Sequence, residues 1–233
     1  MTRRCGPGWL RLPAHMVSLL TSSKESFVPV PRLSLKKIVA VSDSLTNEEP
    51  DNYLALLGAR LQVSVVANAF GGWTTTSFFR DRFKDIAFAK IPHDADLFLL
   101  LLGSNNQFEA AGGTEASIAD AVAGVQKLAA HLLTFSPTAQ FLLVAPPTVI
   151  LEKNVLPTPL PVRRIDRQSP AILAQLSQAY RALAQARQWL FVDLYPVLGA
   201  DDFMDACHPN PAGNRKIVEV IAPVLEQAFT FPR

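Results

Sequence analysis

Cysteine is scarce in this chain: 233 residues carry two, Cys5 and Cys207, near opposite ends. Two isolated cysteines make neither a disulfide framework nor a Cys-x-x-Cys ligand set, so a hydrophobic core has to hold the fold. Long apolar runs are missing as well. The longest candidates, Leu97 to Leu102 and Phe141 to Ala145, fall far short of the roughly 20 residues of a membrane helix, and no membrane span is expected. Charge is thin, at 18% of residues with a formal net +2. With no basic stripe and no interleaving of basic and aromatic residues, nucleic acid is not expected as a partner. A secretory leader is not expected either, because Arg11, Pro13 and His15 interrupt the only apolar stretch near the start and leave just Met16 to Leu20. Residues 1–34, basic and proline-bearing without either secondary-structure period, read as a poorly ordered N-terminal extension. The compartment stays open, with the cytoplasm slightly favoured, and so does the oligomeric state.

What the chain does have is apolar content, 49% of residues, enough for one domain with a full core over residues 35–233. From Lys36 onward, short apolar runs alternate with longer helical periods, the pattern of a parallel sheet covered by helices. Five strands are expected, at Ile38–Val41, Val63–Ala69, Leu97–Leu102, Phe141–Ala145 and Leu190–Leu194. Between them, helices are expected at Tyr53–Leu61 and, more weakly, over Thr74–Phe88. A third should follow Thr114 as cap, with the stripe Ile118, Val122, Val125, Ala129, Leu132. Ser169-Pro170 and Asn210-Pro211 each open a helix in the cap-then-proline order. Thr148 to Gln168, with Pro157, Pro159 and Pro161, reads as a long irregular loop, the kind that walls a binding site. No internal repeat is present.

Ligands of open α/β sheets bind outside the carboxyl ends of the strands, and four such ends carry residues with chemical potential. The first strand stops at Ser42-Asp43-Ser44, the second at Gly71-Gly72-Trp73, and the third at Gly103-Ser104-Asn105-Asn106. The fifth leads to Asp205 and His208, three residues apart in one turn. Each has a plain structural use when taken singly: serine and aspartate are common in turns, and glycine supplies positive φ. Together they offer more. A serine hydroxyl becomes a nucleophile when an imidazole takes its proton, and the imidazole needs a carboxylate on its other nitrogen. A glycine N–H and an asparagine amide can both donate to a developing oxyanion.

In this order and spacing the four turns resemble the sequence blocks of the SGNH hydrolases, the GDSL esterase/lipase family. Ser42-Asp43-Ser44-Leu45 is similar to the first block with its leading glycine replaced by serine. Gly72-Trp73-Thr74-Thr75, Gly103-Ser104-Asn105-Asn106 and Asp205-Ala206-Cys207-His208-Pro209-Asn210 match the others. The resemblance runs from about Lys36 to Phe229. It implies a single-domain three-layer α/β/α sandwich around a flavodoxin-like five-stranded parallel sheet, hydrolysing esters through an acyl-enzyme. Ser44 would be the nucleophile, His208 the general base and then acid, and Asp205 the orienting carboxylate. The oxyanion hole would come from the Ser44 and Gly72 N–H groups and the Asn105 side chain. No metal or organic cofactor is implied, and the partner is a small-molecule ester.

The departures from the family pattern are Ser42 for glycine, Asn106 for aspartate, and a second block one residue short between Asn68 and Gly72, which leaves Gly71 beside Gly72 as a possible donor. Asp43, Trp73 and Asn106 are candidates for contact with substrate, Trp73 as a wall of the acyl pocket. Gln107, Arg163 and Arg164 are polar candidates nearby. An acetyl or other short acyl ester is the first expectation, with a lysophospholipase, lipase-like or aryl esterase of longer acyl reach as the alternative. A non-catalytic ligand-binding domain that keeps the fold is the rival of another class, and it would be expected to lack a member of the tetrad. A nucleotide-binding domain would need a Gly-x-Gly-x-x-Gly or Walker loop where this chain has Ser-Asp-Ser, and the Gly-x-Ser-x-Gly elbow of the α/β-hydrolases is absent.

Overall fold

The computed structural model describes residues 33–108, 113–154 and 165–231. The extension expected over 1–34, apart from Leu33 and Ser34, lies outside these residues, as do Cys5, Pro157, Pro159, Pro161, Arg163 and Arg164. Leu33–Ser34 form a short strand, β1, parallel to β7 at Phe229–Thr230. Leu33 and Ser34, the last two residues of the expected extension, thus pair with the end of the domain. Two residues are too few to show any period, which is why this pairing is invisible in the sequence.

The main sheet holds β2 (Lys37–Ser42), β3 (Ser64–Ala69), β4 (Leu97–Leu101), β5 (Gln140–Ala145) and β6 (Leu190–Asp193). Their order is β3-β2-β4-β5-β6 and every pairing is parallel. This is the expected flavodoxin-like arrangement. The continuous apolar character of β2 and β4 follows from burial on both faces. Val39, Val41, Phe98, Leu100 and Leu143 point to one core, and Ile38, Ala40, Leu97, Leu99 and Leu142 to the other. Alternate residues of a strand face opposite ways, so each strand feeds both cores.

The first of these cores lies under α3 (Gly113–Leu132) and α4 (Ser169–Arg187), the second under α1 (Tyr53–Leu61) and α5 (Pro211–Ala228). From β2 the chain moves outward to β3 and then crosses to β4 on the other side. The crevice at the carboxyl ends of β2 and β4 is thus the topological switch point, where such sheets bind ligands.

Several helix expectations need correction. Thr74–Phe88 is not one helix; it holds two 3-10 turns, Ser77–Phe79 and Asp81–Phe83, and the short α2 at Lys84–Ala87. Threonine and phenylalanine are poor helix formers, and Ser77 Oγ takes the Thr74 N–H at 3.0 Å, a local bond that competes with helix. The aromatic side chains instead close on one another, with Trp73 stacked between Phe70 and Phe83. In α3 the expected Val125, Ala129 and Leu132 are buried and the expected Ile118 and Val122 pack half-buried against the same core, with Ala121 and Leu128 completing the buried face. Thr114 lies inside α3, which begins at Gly113, and so does not cap it. For α4 the cap position is Gln168, without a side-chain bond of its own, and the turn before it is held by Asp166, whose carboxylate accepts the Gln168 and Ser169 N–H groups at 2.8 and 3.2 Å. Ser169 returns its own Oγ to the Asp166 N–H. Asn210 caps α5 as expected, accepting from Ala212 and Gly213.

Candidate active site

The β2 strand runs extended through Ser42. Its Oγ donates to the Leu101 carbonyl of β4 at 2.7 Å, so the position tolerates serine in place of the family's glycine. The chain then turns through Asp43, Ser44 and Leu45, with the Thr46 N–H returning to the Asp43 carbonyl at 3.2 Å. This turn lifts Ser44, half-buried, toward the cleft.

The loop after β6 meets it from the far side of the sheet's carboxyl edge. Asp202, buried, accepts the Gly199 N–H and the Lys216 ammonium, which fixes the start of the loop against α5. A bridge between Phe203 and Pro209 and the Met204 N–H to the His208 carbonyl at 2.9 Å close it into a small hairpin. Lys153 donates to the Phe203 carbonyl and Ile150 to the Ala206 carbonyl, which tethers that hairpin to the segment after β5.

From this hairpin His208 places Nε2 3.0 Å from Ser44 Oγ and Nδ1 2.7 Å from Asp205 Oδ2. Asp205 Oδ1 accepts the N–H groups of Cys207 and His208, at 2.9 and 2.7 Å. Burial works to raise the Asp205 pKa, but those N–H groups and the imidazole outweigh it and hold the carboxyl below its ordinary range. An ionised carboxylate only accepts, so Nδ1 carries the imidazole proton toward Asp205 and Nε2 is left to accept from Ser44. In this way Ser44, Asp205 and His208 form one connected chain of hydrogen bonds.

Gly72 is the third residue of a turn closed by the Trp73 N–H on the Phe70 carbonyl at 3.1 Å. Its φ of 74° is left-handed and favours glycine there. Gly71 needs no such conformation, and a Cβ on it would lie 3.9 Å from that of Ser44. Asn105 lines the cleft with Ser44. Its Nδ2 donates to Asp43 Oδ2 at 2.9 Å and to the Trp73 carbonyl at 3.0 Å.

The cleft itself, with a cavity of about 40 Å³, lies beside Ser44. Leu45, Pro147, Val149 and Ile165 give it an apolar side, and Ser104, Asn105, Gln107 and Thr148 a polar one. Gln107 was expected here. Pro147, Thr148 and Ile165 were not singled out individually, although Thr148 and Ile165 belong to the long loop that was expected to wall the site and Pro147 immediately precedes it.

Three residues expected at the substrate do not line this cleft. Asp43 is fully buried beneath the site, where Oδ1 accepts the Leu45 N–H at 3.0 Å and Oδ2 accepts Ser104 Oγ at 2.8 Å as well as Asn105. Burial pushes its pKa up from an ordinary 3.8 to about 6, against the pull of these bonds and of His208. Trp73 belongs to the aromatic core, with Phe78 against its edge. Asn106 is buried and ties two loops together: Oδ1 accepts the Thr75 N–H at 3.2 Å and Nδ2 donates to Thr75 Oγ1 at 3.1 Å. That second bond needs an amide, so the change from aspartate carries its own partner.

The sequence reading also passed over Cys207. Its half-buried thiol lines the cleft 3.6 Å from His208 Nδ1. Burial, and the charges of Asp205 and Asp43, push it up to about 12. The signal was its position, next to the candidate base.

A doubly wound sheet with a Ser-His-Asp array at its switch point defines a hydrolytic enzyme of the serine type. The profile of the GDSL-like lipase/acylhydrolase family matches residues 40–216, and the chain belongs to that family and is a carboxylic ester hydrolase. A GDSL lipase of Mycobacterium tuberculosis is 28% identical over 172 residues, 74% of this chain and 68% of that one. Among solved structures, a carbohydrate acetylesterase family member from Sinorhizobium meliloti superposes with a TM-score of 0.65 at 22% identity, over 83% of this chain and 99% of that one. An aryl esterase of M. smegmatis gives 0.62 at 20% identity, over 83% and 100%. Among the described residues no helix is long and apolar enough to cross a membrane.

Proposed function

We propose that the chain hydrolyses a short-acyl ester, acetyl first, through an acyl-enzyme on Ser44. The observation that carries this reading is the hydrogen-bonded line from Ser44 Oγ through His208 to Asp205, at 3.0 and 2.7 Å. Ser44 Oγ attacks the ester carbonyl carbon while Nε2 of His208 takes its proton. Asp205 holds the ring and balances the imidazolium. The carbonyl oxygen becomes an oxyanion that the Ser44 and Gly72 N–H groups and the Asn105 amide receive. Asn105 reaches it by giving up the Trp73 carbonyl and keeping Asp43. Collapse expels the alcohol, protonated by His208, and water then attacks the acyl-enzyme by the same steps in reverse order.

The small cavity that Leu45, Pro147 and Val149 line beside Ser44, about 40 Å³, favours a short acyl group, and the acetylesterase named among the structural neighbours agrees with it. The apolar character of the same wall supports a second reading, a longer-chain esterase, in keeping with the lipase named as a relative. The test is hydrolysis of p-nitrophenyl acetate, butyrate and octanoate. A fall in kcat/KM with chain length supports the acetyl reading, and a rise overturns it in favour of the second.

A further inference from the structure

Ser104, Asn105 and the turn that carries Ser44 all donate hydrogen bonds to one fully buried carboxylate, that of Asp43. Oδ1 accepts the Leu45 N–H at 3.0 Å, which spans Ser44. Oδ2 accepts Ser104 Oγ at 2.8 Å and Asn105 Nδ2 at 2.9 Å. Two of the three partners are N–H groups that can only donate, a set that an ionised carboxylate satisfies and a neutral side chain of its size does not. Burying that charge is costly, and the charged group that acts on it is His208, not a lysine or arginine. The steps of ester hydrolysis given above leave this charge without a task.

We propose that Asp43 is a positioning residue: its carboxylate is the pivot on which Asn105 turns from the Trp73 carbonyl to the oxyanion, and a proton on Asp43 loosens that pivot. The turning rests on the reading of Ser44, His208 and Asn105 given above, while the hold of Asp43 on the amide stands without it.

Asn105 Nδ2 has two hydrogens, and its two acceptors are Asp43 Oδ2 and the Trp73 carbonyl, the latter at 3.0 Å. To reach the oxyanion the amide has to release one of them. A hydrogen bond to a charged acceptor is about twice as strong as one to a neutral acceptor, so the Trp73 carbonyl yields and the carboxylate holds. The amide then swings about a fixed end and not freely.

Protonation reverses that order. An acid proton on Oδ2 has only Ser104 Oγ to receive it, because the Asn105 amide nitrogen cannot accept, and a neutral oxygen holds Asn105 no better than Trp73 does. Burial places this exchange at about pH 6. The other titratable groups that act on Asp43 or feel its charge are His208, Cys207, Tyr53 and Tyr180. Burial pushes the thiol and both tyrosines up, away from this range, and His208 is the second proton-accepting group of the reaction.

The experiment compares the full chain with Asn105→Ala, Asp43→Asn and the double variant, each checked for folding by circular dichroism. In Asp43→Asn the new amide oxygen can still accept the Leu45 N–H while its NH2 meets Ser104 Oγ, so the Ser44 turn is kept and the hold on Asn105 is lost. The wild-type Asn105 amide signal, identified in proton–nitrogen correlation spectra by its loss in Asn105→Ala, should shift as pH passes through about 6 and stay put in Asp43→Asn. On p-nitrophenyl acetate, Asp43→Asn should lower kcat by about 10–100-fold with little change in KM, the cost of a misplaced group. The same change should cost less than about threefold once Asn105 is alanine. Below pH 6 wild-type kcat/KM should fall by more than about tenfold per pH unit, two protons being taken up, and that of Asp43→Asn by about tenfold. Equal losses in the two backgrounds would make the effect of Asp43 structural and overturn the pivot, as would an Asn105 amide signal indifferent to pH around 6. Should Asp43→Asn fail to fold, the same titration in His208→Ala, where the imidazole contributes nothing, decides the hold. Absence of turnover in a wild type whose amide signal does titrate would count against the hydrolase reading and leave the hold of Asp43 on Asn105 supported.

Discussion

Replacing Asp43 by asparagine removes a charge from under the active site and almost nothing of its shape. Asp43 is fully exposed to the cost of burial: its pKa in the fold is about 6 against an ordinary 3.8. At neutral pH the carboxylate is ionised in both states, and the shift corresponds to about 3 kcal/mol of stability lost in the native protein. The sign is fixed by proton binding. Between pH 3.8 and 6 the folded chain keeps a proton that the unfolded chain has lost, so this group's contribution is fully present at lower pH and disappears as pH rises through about 6. Asparagine does not titrate. It costs a constant amount, about 1–3 kcal/mol, because its NH2 cannot accept from both Leu45 and the Ser104–Asn105 pair. Urea unfolding of the two proteins separates the contributions. The stability of Asp43→Asn relative to wild type should improve by about 2.5 kcal/mol from pH 4 to pH 7.5, whatever the constant cost. A difference that stays within about 0.5 kcal/mol across that range would refute the idea that this carboxylate is held ionised against its environment.

Asn105→Ala should lower kcat by about 10²–10³ with a smaller change in KM, since in the proposed reaction the amide turns to the substrate as the oxyanion develops; steady-state kinetics on p-nitrophenyl acetate read this directly, and an effect confined to KM would remove Asn105 from the proposed oxyanion hole. Gly103→Ala should destabilise the fold by about 3 kcal/mol or more. Its φ is 111°, and a Cβ there would meet the Tyr180 hydroxyl at 2.5 Å and Leu176 at 2.9 Å. Adding Tyr180→Phe should recover part of that loss in denaturant unfolding, despite giving up the 3.1 Å bond to the Leu102 carbonyl; no recovery would refute the clash with the hydroxyl as a source of the strain.

The central strands were legible because burial on both faces forces unbroken apolar runs, as in Leu97–Leu101, all buried. Asn210 was legible as a cap because the capping side chain sits in the sequence directly ahead of its proline. Thr74–Phe88 misled because its aromatics are placed for a cluster around Trp73 and Phe78, and a cluster has no period. The stripe of α3 was legible at Val125, Ala129 and Leu132, and it missed Ala121 and Gly124 because small residues carry little apolar signal although they face the core. At the site, Ser44, Asp205 and His208 could be picked out by residue type, order and strand-end position. The roles of Asp43, Trp73 and Asn106 could not, because closeness to a motif along the chain does not tell which way a side chain points. Asp43 turns beneath the serine it precedes, and Asn106 turns to Thr75 on another loop.

The most direct measurement is turnover of p-nitrophenyl acetate by wild type and Ser44→Ala, with circular dichroism to show that both are folded. A fall of about four to six orders of magnitude in kcat is the expected result. Near-wild-type turnover in a folded Ser44→Ala protein would contradict the assignment of Ser44 as nucleophile.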